Sequence, residues 1–254
     1  MAVYRLNDPS AAAPLFDGWP ETLIWSCLQG VMGEIYADSP EHPTSAAAII
    51  ADFTFFAGVP NDELIRFRPA NCTTDYMLMV PQTEAWSERI EACRGGKRIV
   101  RYAIKKEPDV FDREHLRRIA ENLPEGCRLR PIDAEIFRYA RETGWCRDWV
   151  RSYPDYETYR RLGFGFVLEK DGEIAAGVSA YTVYREGVEI EIDTHVDHRR
   201  KGYASACAAR MILEALDRGL YPSWDAANLW SVGLAEKLGY HFDHEYTPYE
   251  IYPY

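Results

Sequence analysis

Glu189, Glu191 and Asp193 stand at alternate positions of a strand-forming stretch that ends in the basic turn Arg199-Arg200-Lys201-Gly202-Tyr203-Ala204. Acids spaced by two share one face of an extended strand. Their mutual repulsion raises at least one pKa toward the range a general base needs. Glu189 and Glu191 come ahead of Asp193 in that role. A bulge in the strand would exchange the faces. The plainer reading is a solvated face whose acids pair with Arg185 or Arg161. The turn that follows has its own chemistry, because a helical stretch, residues 205–219, starts directly after it. The first turn of a helix has N–H groups without partners, and the macrodipole favours an anion there. Gly202 lets the backbone approach that anion closely, and small Ala204 keeps the first turn uncrowded. Strand, basic turn and helix start together make a seat for a pyrophosphate.

The other reactive side chains have weaker claims. His195 and His198 flank the turn, where each could touch phosphate or act as a base; a half-exposed loop histidine is the commoner case. His241 and His244 read as surface residues of the last strand. Trp224 and Trp230 bracket Asn228 and either wall an acceptor pocket or pack in the core.

The elements that must position these residues follow from turn chemistry and periodicity. Upstream, a short strand and turn at 129–133 lead to a helix over 134–143, an aromatic stretch over 145–156 and a helix ending at Leu162. A strand over 163–169 is joined by Asp171-Gly172 to a partner over 173–184, since both central positions of a type I′ turn need positive φ. A second turn, Arg185-Glu186-Gly187, delivers the chain to the acidic strand. Downstream, a strand over 221–226 precedes a helix opened by Asn228, with Ser231, Leu234 and Leu238 on one face and Gly239 at its end. A final strand or pair runs over 240–251. Pro124, Gly126 and Pro131 punctuate a second beginning, which divides the chain into residues 1–124 and 125–254.

Residues 1–124 read as alternating elements: a helix over 15–30, strands over 33–38, 46–57 and 76–80, a helix over 83–92, a strand over 98–105 and a helix over 112–122. The segment 71–74 is polar and turn-like. This half has no phosphate turn of its own. Three roles stay open for it: a degenerate copy of the C-terminal fold, a lid, or a dimerisation domain.

Arg199-x-x-Gly202-x-Ala204 resembles the Q/R-x-x-G-x-G/A signature of the GNAT superfamily of N-acetyltransferases. The corner Lys237-Leu238-Gly239-Tyr240 and the Asn228-x-x-Ser231 helix start are similar to that superfamily's C-terminal segments, in the same order. Trp224-Asp225-Ala226-Ala227-Asn228 with residues 234–240 resembles one branch, the zwittermicin A resistance-like acetyltransferases. The resemblance is specific over 187–251 and architectural before that. It implies an α+β chain whose C-terminal half has the GNAT fold, a mixed, mostly antiparallel sheet flanked by helices, beside an α/β N-terminal half. It also implies acetyl-CoA as co-substrate, with no metal. The backbone of Thr194 and Val196 would bind the pantetheine arm. Arg199, Arg200, Lys201, Gly202, Tyr203 and Ala204 would hold the pyrophosphate, with Asn228 and Ser231 near the thioester end. Many GNAT enzymes place a tyrosine at the position of Ala235 to protonate the leaving thiolate; Tyr181, Tyr246 and Tyr249 are substitutes, or no acid is needed.

Composition narrows the function further. The 254 residues are 47% hydrophobic and 13% aromatic, as in a folded protein with a sizeable core. The net charge of −11 disfavours nucleic acid and favours a cationic acceptor such as an amino-sugar, a polyamine or an aminated antibiotic. The apolar stretch 45–58 is too short to span a bilayer. Six cysteines without a C-x-x-C pair suggest reduced thiols and a cytoplasmic location. The expected activity is therefore transfer of an acetyl group from acetyl-CoA to a primary amine of a small molecule. It carries no membrane partner and no assigned oligomeric state. A non-catalytic acyl-CoA-binding sensor or scaffold, and a protein-acetylating enzyme, are the alternatives.

Overall fold

The apolar stretch expected as one strand over 46–57 folds as two, Ser45–Ile50 and Phe53–Gly58, in antiparallel register from Ser45↔Gly58 to Ile50↔Phe53. Ala51 makes the turn at φ 52°, a position that alanine does not advertise in sequence. The computed structural model describes every residue except Met1, Asn71 and Thr73, so part of the polar segment 71–74 lies outside the described residues. The contacts gather into two units, residues 1–101 with 245–254, and residues 102–244.

The first unit has strands β1 (Tyr4–Arg5), β2 (Glu34–Ala37), β3 (Ser45–Ile50), β4 (Phe53–Gly58), β5 (Met77–Pro81) and β6 (Lys97–Arg98). Its helices are α1 (Thr22–Leu28), α2 (Asp62–Arg66) and α3 (Glu84–Arg94). The helix expected over 15–30 is a 3-10 turn, Pro9–Phe16, followed by α1, with Pro20 in the break between them. Strands β1 to β4 are antiparallel in sequence order, and β5 joins β4 in parallel. A strand from the far end of the chain, Tyr249–Ile251, lies between β5 and β6 and is antiparallel to both. Trp86, Phe56, Ile65, Met79 and Tyr249 build the core beneath this sheet. The Trp86 ring stacks on Phe56 at 5.0 Å, and its indole N–H donates to the Gly58 carbonyl at 2.9 Å.

The second unit opens with β7 (Arg101–Ile104) and α4 (Arg113–Glu121), then β8 (Cys127–Pro131), α5 (Ala134–Glu142), α6 (Tyr156–Leu162), β9 (Gly165–Lys170), β10 (Glu173–Tyr184) and β11 (Gly187–Thr194). It continues through α7 (Tyr203–Asp217), β12 (Tyr221–Ser223), β13 (Asp225–Ala226), α8 (Leu229–Lys237) and β14 (Phe242–Tyr246). The strand Tyr249–Ile251 completes the chain as β15. Asp171 and Gly172 both have positive φ, 52° and 92°, as the hairpin turn requires. Strands β8 to β11 are antiparallel in order, and β12 joins β11 in parallel. Alanines and Cys207 on the buried face of α7 let it lie close on β9, β10 and β11. The helix α4 also packs on α7.

Both units thus share one strand order, three antiparallel joins and then a parallel one, which identifies the N-terminal half as a second copy of the same fold. The first sheet also takes in a strand from the far end of the chain, and the second unit has, beside its five-stranded sheet, a separate sheet of three strands. β15 enters between β5 and β6, and β7 enters between β13 and β14. Tyr249 is fully buried, and its hydroxyl donates to Glu91 at 2.7 Å. Tyr249→Ala is expected to destabilise the first unit by about 3–5 kcal/mol, as other buried aromatic truncations do. Urea denaturation of the full chain measures it.

Candidate active site

Strand β11 pairs with β10 along its whole length but with β12 only at Gly187↔Tyr221, Val188↔Pro222 and Glu189↔Ser223. After Ser223 the chain turns away, and Asp225 and Ala226 pair instead with Ala103 and Tyr102 of β7. Among the described residues, β11 beyond Glu189 has no ladder partner on that side. Its open edge runs through Ile190, Ile192 and Thr194 toward Val196, which is 64% exposed.

The basic turn closes that edge. Arg200 and Gly202 take left-handed conformations, φ 63° and 83°. The Lys201 ammonium donates to the Asp197 carbonyl at 3.0 Å, and Arg199 donates to the Thr194 carbonyl at 3.5 Å. Gly202 is the N-cap of α7 and offers no side-chain acceptor, and the first turn of that helix contains no acid. By contrast α4, α5, α6 and α8 are each capped by a side chain, Asp112, Asp133, Asp155 and Asn228. A Cβ built on Gly202 meets nothing within 4 Å, so the space before α7 is open and only the backbone conformation demands glycine. Tyr203 is buried, Ala204 half-buried, and Arg199, Arg200 and Lys201 exposed.

The first unit has the same elements without this opening. β4 and β5 stay laddered from Phe53↔Leu78 to Phe56↔Pro81. The Gln82 side chain then accepts from the Gly58 N–H at 3.1 Å and donates to the Leu15 carbonyl at 2.7 Å. At the start of α2, Asn61 caps the helix, and Asp62 and Glu63 fill its first turn with negative charge. Nothing there suits a polyphosphate.

The three acids differ by environment. The register bulge lies in β10, between Ala180 and Thr182, and leaves β11 regular, so Glu189, Glu191 and Asp193 keep one face. Glu189 is 5% exposed and stands at the last pair before β11 and β12 part. Across from it, Tyr184 and Ser223 share a hydroxyl hydrogen bond of 2.9 Å, and Tyr240 donates to the Pro222 carbonyl at 2.6 Å. Burial raises the pKa of Tyr184, Tyr221 and Tyr240, and the Glu189 charge adds to each, so all three phenols stay protonated near neutral pH. Glu191 is half-buried beside Ser179, whose hydroxyl lies 3.0 Å from that of Tyr159. Asp193 pairs with Gly177, under the Trp149 ring; burial and then the Asp148 charge push its carboxyl up to about 6.

Among the remaining sequence candidates, the Asn228 carboxamide oxygen accepts from the Ser231 N–H at 3.0 Å, which leaves its NH₂ group to reach outward. Ser231 Oγ accepts from the indole N–H of Trp224 at 3.0 Å. Trp224 is buried against Tyr240, whereas Trp230 is 83% exposed on the first turn of α8. Ala235 is fully buried. Tyr249 belongs to the first unit. His195 sits edge-on to Trp145 at 5.3 Å, and both His195 and His198 line a cavity of about 510 Å³ with Arg128, Arg130 and Glu169. Sequence reasoning missed the Tyr184–Ser223 pair and the Trp224–Ser231 bond. The first joins residues brought together by sheet pairing, whereas the second spans only seven residues, from the break between β12 and β13 to the first turn of α8. Among the described residues no group of His, Cys, Asp and Glu could hold a metal ion.

Comparison with known proteins meets this geometry. The GNAT acetyltransferase family matches residues 13–249, across both units. The chain belongs to this family. A GCN5-related N-acetyltransferase-like protein from Streptococcus suis has a solved structure that is 42% identical and superposes with a TM-score of 0.89, covering 96% of this chain and 98% of that one. The uncharacterized N-acetyltransferase YdfB of Bacillus subtilis is 29% identical over 252 residues, 92% of this chain and 91% of its own. A GCN5-related N-acetyltransferase from Kribbella flavida shares the fold at 15% identity and a TM-score of 0.53, over 98% of this chain and 96% of that one. The protein is an acetyltransferase, and its family uses acetyl-CoA. The open edge of β11 and the uncapped start of α7 fit a long diphosphate ester of this kind.

The raised Asp193 pKa has a stability consequence of definite sign. The fold favours the protonated acid, so its contribution is full at low pH and lost as pH rises through about 6. Asp193→Asn is expected to be more stable than wild type by about 2 kcal/mol at about pH 8, with the gap closing toward about pH 4. Thermal melts across pH test this; equal stability of the two proteins at high pH contradicts it.

Proposed function

We propose that this protein transfers the acetyl group of acetyl-CoA to a primary amine of a small molecule. The observation that carries the reading is the parting of β11 from β12 at a buried carboxylate, in line with an uncapped helix start flanked by three cations. Acetyl-CoA, when bound, supplies an activated acetyl thioester. The N–H groups at the start of α7, with Arg199, Arg200 and Lys201, hold its diphosphate. The open edge at Thr194 and Val196 offers backbone groups to the pantetheine amides. The Asn228 NH₂ group reaches toward the same arm.

An amine acceptor arrives as an ammonium and must lose a proton before it can attack. Glu189 takes that proton at its carboxylate, directly or through a water, at the apex of the opening. Glu191, one pair further along, is the second candidate. The surrounding Tyr184, Tyr221 and Tyr240 keep neutral phenols around the carboxylate and exclude bulk water. The acidic surface supports a cationic acceptor such as an amino-sugar, a polyamine or an aminated antibiotic. Six free thiols and the absence, among the described residues, of a helix able to cross a membrane support a cytoplasmic site of action.

Two experiments test this reading. Calorimetry is expected to find one acetyl-CoA bound per chain, because among the described residues the second unit alone has the open edge, and Gly202→Val is expected to weaken binding at least roughly tenfold by straining the turn. Two sites per chain, or none, contradicts the assignment. Free-thiol release is then followed over a panel of amines. Glu189→Gln is expected to lower turnover by roughly two to four orders of magnitude while leaving acetyl-CoA affinity unchanged. If Glu191→Gln alone has that effect, the base is Glu191. Tight binding with no amine-dependent release from any acceptor favours a sensor, a reading to which the buried Ala235 lends support.

A further inference from the structure

The far end of the second sheet holds a row of side chains that acetyl transfer does not use. Direct partners in an antiparallel ladder share a face, and the pairs Arg128↔Glu169 and Ile174↔Glu169 set side chains of β8, β9 and β10 in line. His195 continues the row past the end of β11, where its N–H donates to the Ala175 carbonyl at 2.9 Å. Helix α5 covers it with Glu135, Ile136 and Tyr139, which helical spacing puts on one side. The space between is the cavity of about 510 Å³. Glu169 anchors its wall: one carboxylate oxygen accepts from Arg128 Nε, the other from Arg130 at 2.7 Å. Arg130 donates as well to Asp133 at 3.0 Å. Arg128 is held through Nε, and its Nη1 and Nη2 have no partner among the described residues. Glu135 and Glu173 line the same cavity, and among the described residues neither carboxylate has an ion pair or a hydrogen bond. His198 lines it too, with a buried Nδ1 that has no hydrogen-bond partner among those residues. Opposite charges therefore face one space without meeting, because Glu169 pins Arg128. A zwitterion joins them and satisfies both ends.

We propose that this cavity binds a free α-amino acid with an aliphatic side chain. Arg128 holds the carboxylate through Nη1 and Nη2, the pair of donors that Glu169 leaves to it. The ammonium lies against Glu135 and Glu173, and the side chain packs on Ile136 and Ile174. The volume is in the range of small-molecule sites, and a buried polar atom such as His198 Nδ1 gains a partner there. This is not the acceptor site: six residues of extended strand, about 20 Å, separate Glu189 from His195. Nor is it the diphosphate seat, which begins after His198, although Lys201 joins the two by donating to the Asp197 carbonyl. The amino acid is thus held as a ligand and is not presented for acetylation. The inference does not rest on the acetyltransferase reading.

Calorimetry on the full chain tests this with L-leucine as the probe, beside isocaproate, which lacks its ammonium, and isoamylamine, which lacks its carboxylate. Leucine is expected to bind once per chain, and each half at least roughly tenfold more weakly. Arg128→Ala leaves Arg130 on the buried Glu169, and is expected to weaken leucine binding at least roughly tenfold. Glu135 and Glu173 are exposed, so the double variant Glu135→Gln/Glu173→Gln is a second test that spares the fold. It is expected to bind leucine and isocaproate alike, because the ammonium alone has lost its partners. Glu189→Gln is expected to bind leucine as wild type does. Failure of leucine to bind wild type, or binding to Arg128→Ala as tight as to wild type, overturns the inference. Isocaproate that matches leucine in wild type overturns it as well. If Arg128→Ala does not fold, the double variant decides, and a preference for leucine that survives there overturns the proposal. Leucine binding lost in Glu189→Gln and kept in Arg128→Ala places the amino acid at the acceptor site, which overturns this inference and leaves the acetyltransferase reading standing.

Discussion

The site depends on one interrupted ladder. Parallel strands pair continuously unless something takes up the hydrogen-bonding groups of the strand that leaves. Here β7 does so: it receives Asp225 and Ala226 immediately after Ser223, and the edge of β11 stays open without orphaned groups on β13. The opening is therefore held by backbone hydrogen bonds to a third strand. Glu189, Trp224 and, through it, Ser231 are all placed by the residue at which this exchange occurs.

The same constraint explains why one copy of the fold is equipped and the other is not. In the first unit β5 follows β4 through four residue pairs, and Gln82 seals the end of the ladder from both sides. A side chain that satisfies the backbone there leaves no reason for a ligand to do so. At the matching helix start, Asn61 stands at the N-cap position that Gly202 takes in the second unit, and the acids Asp62 and Glu63 follow where Tyr203 and Ala204 do. What remains of the first copy is its sheet and core, which still depend on β15, a strand supplied by the end of the chain.

Burial sorts three acids that chemistry alone leaves equivalent. All three lie on one face of a regular strand, but burial decreases from Glu189 outward as β11 leaves its neighbour. Hydroxyls surround Glu189, whereas Asp193 faces an indole and a second carboxylate, which drives its pKa upward. An acid already near its titration point beside the open edge makes stability depend on pH.

Local rules were legible from the residues in order. Positive φ at Asp171 and Gly172, the common face of Glu189, Glu191 and Asp193, and the uncapped basic turn before α7 all depend on neighbours within a few positions. Sequence determined these because side-chain period and turn conformation are properties of short segments. It misread 46–57 as one strand because Ala51 is no turn residue, and it left the role of the N-terminal half open among three readings. Only the tertiary structure decided that this half repeats the fold, that β7 and β15 change sheets, and that Trp224 bonds Ser231. The places of β7 and β15 are fixed by strands that pair across more than a hundred residues of chain, and pairing at that range is set by the competition of whole sheets for partners rather than by any local pattern.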